Sequence, residues 1–224
     1  MKVRLVRRLN LESTIDCGAS KRSPSERRAA KILFGITVLE GGWVAANWIR
    51  HGARFFWYLG FVHGRSGTWW GWLTAIIVAV LYVGYCLRFP SVRDNLFRRS
   101  RLKGLALAAA VTAAILEEVM FRKWIMDSAH GHGFGPFGQI AISSFTFGLL
   151  HGAWGLMGPS LRVAIGATVA TGALGSALAI VYLLSGRSLA PCITAHFLVN
   201  ALIEPGMVLA ATRGEMAAGA DPGR

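Results

Sequence analysis

Three short stretches place polar and ionisable side chains inside long apolar runs, and these side chains could do chemistry together. In chain order they are Glu117, Glu118, Arg122, Phe147, His151, His196 and Asn200, of which Phe147 is the one apolar member. A charged side chain at the centre of a membrane-spanning helix costs about 2.5 to 3.5 kcal/mol on insertion scales. Their grouping within three runs therefore makes them candidates for function.

The two adjacent carboxylates of the first stretch are predicted to differ in role. Glu118 and Arg122 are four residues apart, so on a helix they share a face and can form an ion pair. Glu117 is rotated from Glu118 by about 100° and lacks that partner. A carboxylate that no cation holds can serve as a general base toward water.

The imidazoles come from two further stretches. His196 and Asn200 are four residues apart and share a face, whereas His151 must come from another helix. If all three runs meet, two imidazoles and Glu117 suit base-assisted attack of water on a carbonyl, or a zinc ion that holds the water. The Asn200 amide could stabilise an oxyanion. The structural alternative is that each polar group only joins helices through hydrogen bonds.

The elements that position these residues are predicted to be membrane-spanning helices. The chain has 224 residues, of which 54% are hydrophobic and 16% charged, a composition outside that of ordinary soluble domains. A spanning helix needs about 20 apolar residues. We therefore predict an all-α, polytopic membrane bundle of about six helices with the site inside it. The six runs are residues 31–50, 69–88, 104–126, 137–156, 162–184 and 189–210.

The distribution of charge predicts orientation and excludes one class of partner. Nine of the 24 Lys and Arg residues lie in 1–31 and six in 88–103, while the apolar runs are nearly free of charge. This is the loop bias that sets membrane topology, so both segments and both termini are predicted to be cytoplasmic. The same clustering in loops argues against nucleic-acid binding. Residues 1–28 lack the apolar core of a signal peptide and are interpreted as a retained tail.

Other side chains are weaker candidates. Glu40 and Asn47, seven residues apart on the first run, share a face and could line a cavity or make an interhelical hydrogen bond. His130 and His132 are expected to be solvated in a loop. Glu204, before a proline, is interpreted as a helix end. A stripe of small residues in the fifth run is expected to pack closely against another helix; it consists of Gly166, Ala170, Ala173 and Ala177.

The three motifs, in this order on successive late helices, resemble those of the CPBP family of intramembrane proteases, also called the CAAX protease and bacteriocin-processing family. The family pattern is E-E-x-x-x-R, then F-x-x-x-H, then H-x-x-x-N, and the chain matches it at 117–122, 147–151 and 196–200. The runs 187–191 and 203–205 also look like the family's sequence. The resemblance covers roughly residues 104–210.

The resemblance implies a role for each residue. Glu117 would activate water with His151 as its partner, His196 and Asn200 would stabilise the tetrahedral intermediate, and Glu118 would shape the site. Arg122 and Phe147 would support these groups. The favoured mechanism requires no cofactor, with zinc, held by Glu117, His151 and His196, as the alternative. The substrate would be a membrane-associated or lipid-anchored protein or peptide met at the lipid bilayer, including CAAX-type and C-terminal sorting-signal processing.

The chain is accordingly divided into a basic cytoplasmic tail (1–30), two N-terminal transmembrane helices with a basic loop (31–103), a CPBP-like protease core (104–211) and a C-terminal tail (212–224). Short loops favour a prokaryotic inner membrane. Two other functions stay open: a non-catalytic membrane immunity or partner protein of the same fold, and a proton-coupled transporter with a Glu/His relay.

Overall fold

A computed structural model describes residues 23–156 and 161–218 of the chain. Every regular element within these ranges is a helix, so the predicted all-α fold is confirmed. The α-helices are α1 (Pro24–His51), α2 (Ala53–Leu59), α3 (Trp69–Cys86), α4 (Pro90–Asn95), α5 (Arg101–Glu118), α6 (Asp127–Gly131), α7 (Pro136–His151), α8 (Leu161–Leu184), α9 (Leu189–Ile203), α10 (Gly206–Arg213) and α11 (Glu215–Ala218). A π-helix, Val119–Met126, joins α5 to α6, and a 3₁₀-helix, Gly152–Leu156, follows α7.

Four of the described helices are long and apolar enough to cross a membrane: α1, α3, the continuous helix Arg101–Gly131, and α8. The pair α9 and α10, bent by 54°, makes a fifth if it is counted as one span. The sequence predicts six spans, and the structure departs from this number at residues 137–156, where α7 has only 16 residues. At 1.5 Å per residue it is about 24 Å long, shorter than the hydrocarbon core of about 30 Å.

The first long helix begins earlier than its apolar run. The Ser23 hydroxyl accepts a hydrogen bond from the Glu26 backbone N–H, and the Glu26 carboxylate accepts one from the Ser23 N–H. This capping box starts α1 at Pro24. Residues 1–22, which include Cys17 and most of the predicted basic tail, lie outside the described residues, as do 219–224.

A close helix crossing joins α7 to α8, and glycine makes it possible. A Cβ atom on Gly148 would lie 2.5 Å from the Thr168 carbonyl oxygen and 3.0 Å from the Cα of Gly172. Small residues do pack closely here, as expected for helices in membranes. The predicted small-residue stripe was wrong in position, because it does not form this crossing. Gly166 and Ala170 line a cavity instead, and a Cβ on Gly166 would contact no neighbouring atom.

A polar cluster fixes the segment that precedes α9. Arg187 has a left-handed backbone (φ 64°), and its guanidinium forms an ion pair with Asp127 at the start of α6. The same guanidinium donates to the Gln139 side-chain oxygen on α7 at 2.6 Å, and the Tyr182 hydroxyl of α8 donates to Asp127 at 3.1 Å. Three helices, α6, α7 and α8, are thereby connected to the segment that leads into α9.

The end of α9 is also defined. The helix stops at Ile203, and Glu204 caps it ahead of Pro205, as the sequence predicted. The Lys103 ammonium donates to the carbonyl oxygens of Leu202 and Glu204 at 3.1 and 2.6 Å. Because a cation is favourable near a helix C-terminus, this contact ties the start of α5 to the end of α9.

Candidate active site

The two carboxylates occupy the last turn of α5, where the helix changes to the wider π-helical form. A π segment inside an α-helix is frequently found at functional sites. The Glu118 Oε2 atom lies 3.0 Å from the Arg122 Nε atom, and both side chains are fully buried. Arg122 Nη2 also donates to the carbonyl oxygen of Gly175 on α8 at 3.1 Å. The predicted ion pair is therefore present and is anchored to a third helix.

Glu118 has a second partner that the sequence did not indicate. Its Oε1 atom lies 2.7 Å from Nδ1 of His196, a side chain that is 2% exposed. A carboxylate on Nδ1 orients an imidazole and favours the proton on that nitrogen. Glu118 thus holds Arg122 with one oxygen and His196 with the other, and directs Nε2 of His196 away from itself.

Glu117 faces both imidazoles. Its Oε2 atom lies 3.7 Å from His151 Nε2 and 3.8 Å from His196 Nε2. This oxygen is buried and has no hydrogen-bond partner among the described residues. His151 Nδ1 lies 2.9 Å from the Phe147 carbonyl oxygen, so its N–H donates there and its Nε2 is left as an acceptor. Both separations from Glu117 exceed a direct hydrogen bond, and one water molecule can bridge such groups.

Phe147 is the packing centre of the site. Its fully buried ring lies 4.5 Å from the His151 ring and 5.8 Å from the His196 ring, centroid to centroid. The Arg122 guanidinium is 5.3 Å from the same ring. Glycine at 175 accommodates it, since a Cβ there would lie 3.2 Å from the Phe147 ring. Phe147 thus supports the two imidazoles and the arginine without chemistry of its own.

The reacting groups open onto one cavity of about 210 Å³. Glu117, His151, His196 and Asn200 all line it, so the structure brings together the side chains predicted from three separate runs. Its remaining walls are mainly apolar, and it follows α5 along a row of alanines, Ala109, Ala110 and Ala113. Such a cavity suits an extended apolar segment of substrate.

The donor types at Glu117, His151 and His196 are those that zinc accepts. Within residues 23–156 and 161–218, however, no group of three or more His, Cys, Asp or Glu side chains has the arrangement of a metal site. His130 and His132 lie elsewhere, with Nδ1 atoms near Gln139 Nε2 and the Ser128 carbonyl oxygen.

Some contacts at the site involve residues that the sequence did not single out. The Gly175 carbonyl oxygen accepts from Arg122, and the buried Ser143 hydroxyl donates to the Phe121 carbonyl oxygen in the π-helix at 3.1 Å. Ser143 could have been noticed as a polar residue in an apolar run, whereas a backbone acceptor leaves no side-chain signal. The two weaker candidates on α1 do not line the same cavity. Glu40 lines the cavity of the site, and Asn47 lines another cavity.

Comparison with known proteins gives a family match. The family model described as type II CAAX prenyl endopeptidase Rce1-like matches residues 100–202, the stretch that contains all seven residues of the three motifs. No curated protein and no solved structure matches the chain. The resemblance to the CPBP proteases is confirmed, and the apolar helices agree with an integral membrane protein. Over residues 100–202 this chain, with helices able to span a membrane, is similar to the Rce1-like type II CAAX prenyl endopeptidases.

Proposed function

We propose that this protein is an intramembrane endopeptidase that hydrolyses a peptide bond of a membrane-associated substrate with water activated by Glu117. One observation carries the proposal. A buried Glu117 oxygen without a hydrogen-bond partner faces the Nε2 atoms of His151 and His196 at 3.7 and 3.8 Å, at the wall of a cavity. A positioned base beside an apolar cavity is what hydrolysis of an extended peptide requires.

In the proposed reaction, water lies between Glu117 and His151. Glu117 takes one proton from the water while the water oxygen attacks the carbonyl carbon. The other O–H of the water donates a hydrogen bond to His151 Nε2, which orients the attack. The carbon–oxygen bond forms and the carbonyl becomes an oxyanion. Glu117 then gives its proton to the departing nitrogen as the carbon–nitrogen bond breaks, which restores the carboxylate.

The oxyanion is stabilised from α9. His196 in its imidazolium form donates from Nε2, and Glu118 stabilises that charge through Nδ1 at 2.7 Å. The Asn200 amide, one turn further along α9 and lining the same cavity, supplies a second donor. Removing one such donor typically lowers kcat by a factor of about 10² to 10³.

The substrates proposed are lipid-anchored peptides, CAAX-type substrates and proteins with a C-terminal hydrophobic sorting segment. The mainly apolar cavity wall and the family match support this class. We place the protein in a prokaryotic inner membrane on the basis of its short loops. The basic loop between α3 and α5 supports an orientation with both termini in the cytoplasm.

The test compares the termini of membrane proteins by mass spectrometry in cells that express the wild type, Glu117→Gln or Asp94→Asn. Asp94 is an exposed acid on α4, so its amide variant is the matched control. We expect a set of new termini in cells with the wild type and with Asp94→Asn. With Glu117→Gln the abundance of these termini should fall by a factor of at least about 10², which is the effect of losing a general base. All three proteins must be equally abundant in the membrane.

Two results would redirect the proposal. If no terminus depends on Glu117 while Glu117→Gln abolishes a cellular phenotype, a proton relay or a binding role replaces proteolysis. If purified active protein contains one zinc ion per chain and loses both zinc and activity to a chelator, zinc rather than Glu117 alone activates the water.

A further inference from the structure

One carboxylate at the site comes from outside the part of the chain that matches the family model. Glu40 of α1 lines the cavity that Glu117, His151 and His196 share, whereas the match begins at residue 100. The hydrogen bond that Glu40 accepts from the Thr112 hydroxyl is long at 3.4 Å. An ionisable side chain in a spanning helix is costly, and this weak contact offsets little of that cost.

The position of Glu40 follows from a close approach between α1 and α5. A Cβ on Gly41 would lie 3.3 Å from the Thr112 methyl group, so glycine lets the two helices meet at this level. Thr112 precedes Glu117 by five residues, which is about 7.5 Å along the helix. An extended peptide advances about 3.3 to 3.6 Å per residue, so the rise of about 7.5 Å from Thr112 to Glu117 corresponds to about two residues of an extended substrate.

Charged groups of both signs line the cavity. Its carboxylates are Glu40, Glu117 and Glu204, and Glu117 faces the imidazoles of His151 and His196. Arg122 is engaged by Glu118 and is absent from the lining, while Arg88 follows α3 and Arg162 lies at the start of α8. The charge that complements the Glu40 carboxylate in an apolar wall is positive.

We propose that Glu40 is a specificity-determining residue that binds a positively charged substrate side chain two residues from the scissile bond. The inference rests on the proposed peptidase function. It assigns α1, a helix outside the matched residues, a part in choosing the substrate. The chemistry recognised is an ammonium or guanidinium group, held by a carboxylate where little water competes for it.

The experiment uses the purified full-length chain in detergent with peptides prepared from host membrane proteins, and mass spectrometry to identify each cut. We compare four proteins: wild type, Glu40→Gln, Glu40→Lys and the control Asp94→Asn. Their thermal unfolding temperatures are first shown to be equal. For wild type and Asp94→Asn we expect Lys and Arg to be enriched about tenfold or more at the second residue on one side of the cut, which is the effect of a hydrogen bond to a charged group. Glu40→Gln should lose this enrichment while cutting neutral sites, and Glu40→Lys should favour Asp or Glu.

A matched peptide pair, with Lys or Met at that position, separates binding from catalysis. Glu40→Gln should raise KM for the Lys peptide about tenfold and leave kcat for the Met peptide unchanged. The inference fails if wild type cuts without the enrichment, if Glu40→Gln keeps it, or if kcat falls equally for both peptides. If wild type cuts no peptide, the proposed function itself fails.

Discussion

At the residue scale, the Glu118–Arg122 pair has a different energetic role from Glu117. Both partners are fully buried and only 3.0 Å apart, and Arg122 Nη1 has no hydrogen-bond partner among the described residues. Removing one member of a buried pair leaves an uncompensated charge, which typically costs about 3 to 5 kcal/mol. The pair therefore stabilises the site mainly by keeping each charge neutralised.

We expect Glu118→Gln to destabilise the protein by about 3 to 5 kcal/mol in detergent, measured by thermal unfolding. The double variant Glu118→Gln/Arg122→Met should recover much of this loss yet stay inactive, because His196 still lacks its carboxylate. Lys123→Met is the matched control: its i,i+4 pair with Asp127 is partly exposed and should contribute about 1 kcal/mol or less. Equal stability of Glu118→Gln and Lys123→Met would contradict this account.

At the element scale, the crossing of α7 and α8 sets the position of two site residues. Gly148 lies at the crossing itself, between Phe147, which packs against both imidazoles, and His151 at the end of α7. The atoms facing Gly148 are backbone atoms of α8, and these cannot rotate away as a side chain can. The two helices must separate if anything larger than glycine stands there.

Gly148→Ala should therefore lower stability by about 1 to 3 kcal/mol, as overpacking typically does, and should reduce proteolysis as His151 moves from Glu117. Thermal unfolding and the terminus comparison measure the two effects. Gly84→Ala on α3 is the control, because a Cβ there contacts no neighbouring atom; it should be neutral or slightly stabilising. A Gly148→Ala protein as stable and active as Gly84→Ala would show that the crossing can relax.

At the scale of the whole molecule, orientation decides from which side a substrate reaches the cavity. Arg88 lines the cavity and belongs to the basic loop between α3 and α5. If that loop is cytoplasmic, as the distribution of Lys and Arg predicts, this end of the cavity is reached from the cytoplasmic side.

Single cysteines test the orientation in cells. In a Cys17→Ser background, Arg99→Cys lies in the basic loop and His63→Cys in the loop between α2 and α3, and both positions are exposed. We expect a membrane-impermeant maleimide to label His63→Cys in intact cells and Arg99→Cys only after permeabilisation. The background protein should stay unlabelled because Cys86 and Cys192 are buried. The reverse pattern would invert the topology.

The sequence by itself determined what depends on local spacing. The ion pair of Glu118 with Arg122 and the end of α9 at Glu204 follow from residues within one helix, whose period fixes which side chains are neighbours. The all-α fold follows in the same way from apolar length and composition. The start of α1 is also local, because Ser23 and Glu26 form a capping box, although the apolar run alone placed it later.

Only the tertiary structure decided which helix each face meets. Glu40 and Asn47 share a face of α1, yet they line different cavities because the neighbours of α1 change along its length. Gly166 and Ala170 of the small-residue stripe of α8 line a cavity, while Gly172 lies at the crossing with α7. The contact of Glu118 with His196 joins residues 78 positions apart. The helical period predicts which side of its own helix a side chain occupies. It does not predict which neighbouring helix that side contacts, because this depends on how all the helices pack together.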